Sequence, residues 1–352
     1  MILVTGGTGL VGAHLLYQLS LTNDKIRAIH RKNSNLKAVE NVFSYYTDNS
    51  KKQFQKIEWI EADIIDVSSL EKTFKDITHV YHCAAIVSFD KKDYQQMRKV
   101  NIEGTANMVN FSLANQIEKF CFVSSIATME KKVHLPSSNL EVSREETEKH
   151  YKILIDETNE WNTETNNYGY AITKYGAEME VWRATQEGLD VVMVNPGVIL
   201  GSGFWHNGPG ELFTKFYNEF KFYTEGMTGF VGVKDVAKTM IQLMNSTIIN
   251  ERFILVAENS TFKNLFFKIA DAFGKNEPSV KVGETLSNIA WRLEAVRNFF
   301  TGKSPLITKH SASASLSKYQ YSSEKIKNAL NFEFEELEVT IKDVCNDFLK
   351  DI

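Results

Sequence analysis

Tyr170 and Lys174 stand four residues apart in Tyr168-Gly169-Tyr170-Ala171-Ile172-Thr173-Lys174, so a helix through them places both on one face. A phenol titrates near 10 and is a poor acid or base at neutral pH. An ammonium one helical turn away favours the phenolate and is expected to pull that value down. Ser124-Ser125 follows the apolar run 120–123, and either hydroxyl is suited to holding a substrate oxygen. Asn101 lies on a helical pattern spanning residues 93–115. It reads either as a residue that orders a proton-relaying water or as one that bends or caps its helix, since a buried amide needs partners. Together these groups suit proton transfer to or from an oxygen. Tyr-x-x-x-Lys is common by chance, so its weight depends on the elements that carry it.

Those elements begin at the first residue. Met1-Ile2-Leu3-Val4 is a short apolar strand that breaks into Thr5-Gly6-Gly7-Thr8-Gly9-Leu10-Val11-Gly12, and Ala13, Leu15, Leu16 and Leu19 then repeat at helical spacing. Glycines at 6, 9 and 12 suit a sharp turn, a pyrophosphate lying against the backbone, and close helix–strand packing, with helix amides facing an anion. The pattern therefore predicts a dinucleotide site. The second strand, 25–30, ends in His30-Arg31-Lys32. An acidic side chain there would accept from a free ribose 2′-hydroxyl, whereas Arg31 and Lys32 suit a 2′-phosphate, so NADP(H) is favoured and NAD(H) remains the alternative.

Residues 33–56 read as a polar surface excursion with a short helix near 36–42. The third strand, 57–60, leads to Asp63, a candidate acceptor for an adenine amino group, and to Asp66, a helix cap. The fourth, 78–81, runs into His82-Cys83-Ala84-Ala85, where small residues let ribose and phosphates approach. The fifth, 120–123, delivers Ser124-Ser125 to the carboxyl edge of the sheet, where ligands bind in open α/β folds. A polar connection, 130–167, with a possible helix at 145–151, precedes the Tyr170 helix, which runs to 187. The sixth strand, 191–194, ends in Asn195-Pro196-Gly197.

Beyond it, Phe204, Trp205, Phe213, Phe216, Tyr217, Phe220, Phe222 and Tyr223 read either as pocket lining or as the core of a lobe. A strand at 230–233, a helix at 234–244 with Asp235 in its first turn, a strand at 252–256 and helices at 262–273, 286–300, 323–330 and 337–349 complete the pattern. The 286–300 helix reads as lobe packing rather than a membrane contact.

The 352 residues are enough for two domains, or one domain with a lobe. The fold class expected is α/β: a doubly wound parallel sheet with helices on both faces and a smaller carboxyl-terminal α/β lobe. Residues 1–195 would mainly form the dinucleotide domain and 196–352 mainly the lobe, with 230–260 returning to the first. A net charge of −4 gives no electrostatic case for nucleic acid or an anionic membrane. Cys83, Cys121 and Cys345 are too few and scattered for a disulfide framework or a metal site. No stretch reaches the roughly twenty apolar residues of a membrane span, and a strand at residue 1 leaves no room for a signal peptide, so a cytoplasmic protein is expected.

The chain resembles the extended class of the short-chain dehydrogenase/reductase superfamily. The resemblance is carried by the 5–12 glycine-rich turn, Asp63-Ile64, 82–85, Asn101, Ser124-Ser125, Tyr170 to Lys174 and Asn195-Pro196-Gly197. The 226–235 stretch and Tyr321-Ser322-Ser323-Glu324-Lys325 are also similar. The resemblance implies a Rossmann domain, a substrate lobe, and catalysis by Ser125, Tyr170 and Lys174 with Asn101. It further implies cofactor contacts from Gly6, Thr8, Gly9, Leu10, Val11, Gly12, Arg31, Lys32, Asp63, Ile64, Cys83, Ala84, Ala85, Ser124, Tyr170, Lys174, Pro196, Gly197 and Val198. Within the class the chain looks most like the dihydroflavonol 4-reductase and 3β-hydroxysteroid dehydrogenase branch, whose NADPH-selecting arginine matches Arg31. Departures are Met129, where sugar epimerases often carry a tyrosine, and Gly232, where many relatives have an aspartate.

The function expected is reduction of a carbonyl on a fairly apolar small molecule. A nucleotide-sugar epimerase or dehydratase with cycling NAD is the alternative, weakened because Asn195 replaces the arginine such enzymes more often carry. A non-catalytic cofactor sensor is a third reading, against which the retained Tyr170 and Lys174 count. Helices bearing Asn101 and Tyr170 would suit a homodimer.

Overall fold

A computed structural model describes residues 1–22, 25–129, 154–162, 168–206, 208–287, 291 and 309–352. Its strands are β1 (Ile2–Thr5), β2 (Ile26–His30), β3 (Ile57–Glu61), β4 (His79–His82), β5 (Lys119–Val123), β6 (Leu154–Ile155), β7 (Val191–Pro196), β8 (Val198–Leu200), β9 (Phe222–Tyr223), β10 (Met227–Gly232), β11 (Glu251–Leu255), β12 (Glu258–Thr261), β13 (Val280–Lys281) and β14 (Gln320–Tyr321). Seven form one sheet in the order β11-β7-β5-β4-β1-β2-β3. Every pairing in it is parallel. This is the doubly wound Rossmann architecture. Strand order reverses between β1 and β4, so a crevice opens at their carboxyl ends.

The sheet is buried on both faces, which is why its central strands read as continuous apolar runs rather than alternating ones. Val191, Val192, Met193 and Val194 of β7 are all fully buried. On one face Leu15, Leu16 and Leu19 of the Leu10–Thr22 helix pack with Val236, Met240 and Leu243 of the Val233–Asn245 helix. On the other, Met108 and Val109 meet Ala177, Val181 and Ala184 of the Gly169–Gln186 helix. Strand β11 follows lobe elements in sequence yet pairs with β7 at the edge of the main sheet.

A second sheet, β12-β10-β8, lies in the lobe. Its core holds Phe213, Phe216, Phe230, Leu265, Ile269, Ile341 and Phe348. Phe213 and Phe216 are therefore interior packing and not pocket lining, whereas Phe220 and Phe222 are exposed.

Two expectations need correction. Residues 33–56 are more than a surface excursion: the Leu36–Ser44 helix fully buries Val39, Val42 and Phe43 against the first helix. Its amphipathic stripe is short, and the polar residues around it mask it in the sequence. The 93–115 pattern is not one regular helix. An α-turn at Tyr94–Met97 passes into a π-helix, Arg98–Glu103, before α-geometry resumes at Gly104–Ala114. The expected helix at 145–151 lies outside the described residues, as does most of 286–300. No described helix is long and apolar enough to cross a membrane.

The ring of Phe43 packs edge-on against Tyr17 and Phe54, at centroid distances of 5.4 and 5.8 Å. Phe43→Ala should lower unfolding free energy by about 3–5 kcal/mol, the cost of emptying a core aromatic site. Urea denaturation followed by circular dichroism measures it, and a loss below about 1 kcal/mol would return this segment to the surface.

Candidate active site

The glycine-rich turn is built by exclusion. Gly6 has φ +68°, and a Cβ on it would lie 2.6 Å from the Ala84 backbone nitrogen. The first turn thus packs directly on the segment after β4. A Cβ on Gly12 would overlap the Gly6 carbonyl oxygen, so the helix sits on the turn itself. A Cβ on Gly9 would meet only the Gly6 oxygen, at 3.5 Å, leaving the outer side of the turn open in front of the helix N-terminus. Backbone amides and absent side chains together fit a dinucleotide pyrophosphate.

Past β2, Arg31 and Lys32 line a cleft of about 520 Å³ with Glu61, Asp63 and Asp66. Arg31 is held in a tight turn: its N–H donates to Ser34 Oγ at 3.1 Å, and the Ser34 N–H donates to its carbonyl at 2.9 Å. Asp63 Oδ1 accepts from the Ile65 N–H at 3.1 Å, and Asp66 caps the following helix through the Ser68 N–H. Ile64 is buried in the core with Leu3 and Ile29.

At the sheet's carboxyl edge the chain assembles Ser125, Tyr170 and Lys174. Ser125 has extended backbone, and its Oγ accepts from the Ala127 N–H at 3.1 Å. Its hydroxyl also faces Tyr170. Burial pushes the Tyr170 phenol up to about 12, and the Ser125 hydroxyl pulls it partly back. Lys174 is 2% exposed. Its Nζ donates to the Val123 carbonyl at 2.8 Å and lies 4.2 Å from the centre of the Phe122 ring. Burial brings Lys174 down to about 7, against the pull of Glu178 and Cys83. The expectation that Lys174 lowers Tyr170 is thus reversed here: burial dominates the phenol, and the ammonium is turned toward β5.

Asn101 is buried and saturated. Its Oδ1 accepts from the Ile86 N–H at 2.8 Å, and its Nδ2 donates to the Ile86 carbonyl and to Thr173 Oγ1, both at 3.0 Å. It sits in the π-helical segment, which fits the helix-bending reading and ties the loop after β4 to the Tyr170 helix. Ser124 is also turned away from Tyr170, donating to Glu178 Oε2 at 2.8 Å. Pro196 ends β7, Gly197 joins it to β8, and Val198 opens β8.

Several partners escaped the sequence reading. His82 Nδ1 meets Thr5 Oγ1 at 2.6 Å and Nε2 meets Thr105 Oγ1 at 3.0 Å, while the Thr105 hydroxyl donates to the Asn101 carbonyl at 2.6 Å. That order assigns the proton to Nε2. Burial holds His82 down to about 3, so it stays neutral. Glu178 and Arg252 form a buried ion pair at 3.1 Å. The available signal was Glu178 standing four residues after Lys174; nothing in the sequence marked Arg252.

A glycine-rich turn at the first strand, with Ser, Tyr and Lys gathered at the carboxyl edge of a parallel sheet, defines an NAD(P)-dependent oxidoreductase of the extended short-chain dehydrogenase/reductase class. The family model described as "Male sterility protein", an NAD-binding family, matches residues 4–251, and the chain belongs to that family. It is 25% identical over 315 residues to sterol demethylase protein B of Methylococcus capsulatus, covering 88% of this chain and 86% of that one. It is 22% identical over 307 residues to dihydroflavonol 4-reductase of Arabidopsis thaliana, covering 83% and 74%. Among solved structures, yeast methylglyoxal/isovaleraldehyde reductase complexed with NADPH superposes with TM-score 0.71 at 19% identity, over 99% of this chain and 98% of that one. Solved nucleotide-sugar epimerases share the same fold.

Gly12→Ala should abolish saturable binding of NADPH and of NADH at micromolar cofactor, because the new methyl must push the helix off the turn. Nicotinamide fluorescence titration reads this, and a normal binding curve would refute the assigned role of the turn.

Proposed function

We propose that the protein is an NADPH-dependent reductase of a carbonyl on a fairly apolar small molecule. The observation that carries this reading is Ser125 gathered beside Tyr170 at the carboxyl edge of the sheet, with Tyr170 one helical turn from buried Lys174. Bound nicotinamide would supply the hydride. Tyr170 gives its proton to the carbonyl oxygen, Ser125 hydrogen-bonds that oxygen, and Lys174 holds the cofactor ribose. Phe89 stacks on Tyr168 at 5.4 Å, and Tyr168 lies 6.2 Å from Tyr170, so an aromatic tier borders the phenol and supports an apolar substrate. In this reading residues 1–195 mainly bind cofactor and 196–352 mainly shape the substrate site, in a cytoplasmic enzyme able to pair as a homodimer. The free thiols of Cys83, Cys121 and Cys345 accord with a reducing compartment.

Arg31 and Lys32 support NADPH over NADH. Glu61 in the same cleft favours the second reading, an epimerase or dehydratase that retains NAD. Asn195 counts against that reading: its Nδ2 points to Ser125, Thr128 and Glu178, not to a diphosphate subsite.

Titration of wild type and Arg31→Asp with NADPH and NADH separates the two. NADPH should bind tighter to wild type, and the preference should vanish in the variant; equal or tighter NADH binding to wild type would bring the epimerase reading forward. With a panel of apolar ketones and aldehydes, Tyr170→Phe should reduce turnover roughly 10²- to 10⁴-fold at unchanged cofactor affinity, the usual worth of a general acid. Near-normal turnover would remove Tyr170 from that role.

A further inference from the structure

Glu178 has no part in the chemistry above, yet its side chain is 0% exposed. It lies one turn beyond Lys174 and two beyond Tyr170 on the same helix. Its Oε2 accepts from Ser124 Oγ at 2.8 Å and from Asn195 Nδ2 at 3.3 Å, and its Oε1 accepts from Arg252 at 3.1 Å. Arg252, on β11, also donates to the carbonyls of Glu157, at 2.8 Å, and Asn159, at 3.1 Å. One carboxylate therefore joins the Tyr170 helix to the ends of β5 and β7. Through Arg252 it also reaches the segment 154–162 within the connection before Tyr168.

An uncharged amide would accept the Ser124 and Asn195 bonds at a smaller desolvation cost. What it would not supply is negative charge. The groups facing Lys174 are His82 of β4, Cys83 just after β4, Phe122 and the Val123 carbonyl of β5, and Tyr170 and Glu178 of its own helix. His82 is neutral, Cys83 is a thiol pushed up to about 12, and Tyr170 is a phenol. Among the described residues facing Lys174, Glu178 is the one anion.

We propose that Glu178 is a positioning residue of this site: it fixes the Ser124–Ser125 strand end against the Tyr170 helix and supplies the negative charge that favours the ammonium form of buried Lys174. This rests on the reading of Lys174 as the group that holds the cofactor ribose. Burial already brings Lys174 down to about 7. Without its anion the lysine would lose its proton at lower pH, and the site would hold a neutral amine across the physiological range.

The test is titration of Lys174 in the full chain by NMR of ¹³Cε-labelled lysine, with the resonance assigned by its absence in Lys174→Arg. Glu178→Gln should move the midpoint down by about one pH unit or more, the size of an opposite-charge effect. Glu178→Asp should return it toward wild type. The double variant Glu178→Gln/Arg252→Gln removes both members of the Glu178–Arg252 pair, so no uncompensated Arg252 charge remains; it serves if the single variant does not fold, and it too should titrate below wild type. A purely structural ion pair would lower the melting temperature and leave the midpoint in place, and an unmoved midpoint in the Gln variants overturns the proposal. The titration uses neither cofactor nor substrate, so absence of carbonyl reduction by wild type would sink the reductase reading without touching this one.

Discussion

An ammonium taken almost wholly out of water is the constraint around which the site is arranged. Lys174 keeps 2% of its surface exposed at the carboxyl edge of a parallel sheet. A buried charge without compensation is too costly to persist. Compensation comes from separate elements: the Val123 carbonyl and Phe122 ring on β5, and Glu178 along the helix. Glu178 in turn needs Arg252, and Arg252 needs the carbonyls of Glu157 and Asn159. A single buried cation thereby recruits β5, β11, the Tyr170 helix and part of the connection before it.

The same economy of polar groups explains the irregular helix after β4. Asn101 spends both ends of its amide on Ile86 and Thr173, and the π-helical segment that carries it aims that amide at a loop instead of at solvent. Behind it, Ala84 N–H, Thr5, His82 and Thr105 pass hydrogen bonds in one direction toward the Asn101 carbonyl. The loop that borders the dinucleotide turn and the helix that bears Tyr170 are thus tied through fully satisfied buried groups, which rigidify a site when every member has its partner.

The lobe is fastened to the first helix. His14 Nε2 donates to the Ser202 carbonyl at 2.9 Å while Nδ1 accepts from Tyr46, and Ser202 Oγ donates to Asp347 at 2.6 Å. Asn41, Tyr45 and Trp205 converge on Asp351 past the end of the last helix. The helix whose N-terminus fits a pyrophosphate is therefore in direct hydrogen-bond contact with the segment that follows β8.

The sequence by itself determined the strand–turn–helix at residues 1–22, the succession of strands that must pair in parallel, and the shared face of Tyr170 and Lys174. Each follows from local chemistry: glycine where a Cβ would clash, apolar runs where both faces are covered, and four-residue spacing on a helix. The family model agrees with the family so recognised. Short strands such as β6, β9, β13 and β14, two residues each, were illegible because so few residues carry no periodic signal. Tertiary structure alone decided that Phe213 and Phe216 face the lobe core, that Ser124 turns to Glu178 while Ser125 meets Tyr170, and that Asn101 closes on Ile86. Periodicity says which residues share a face; what covers that face, and which buried charge finds which partner, depends on residues as far apart as Glu178 and Arg252 that only the folded sheet brings together.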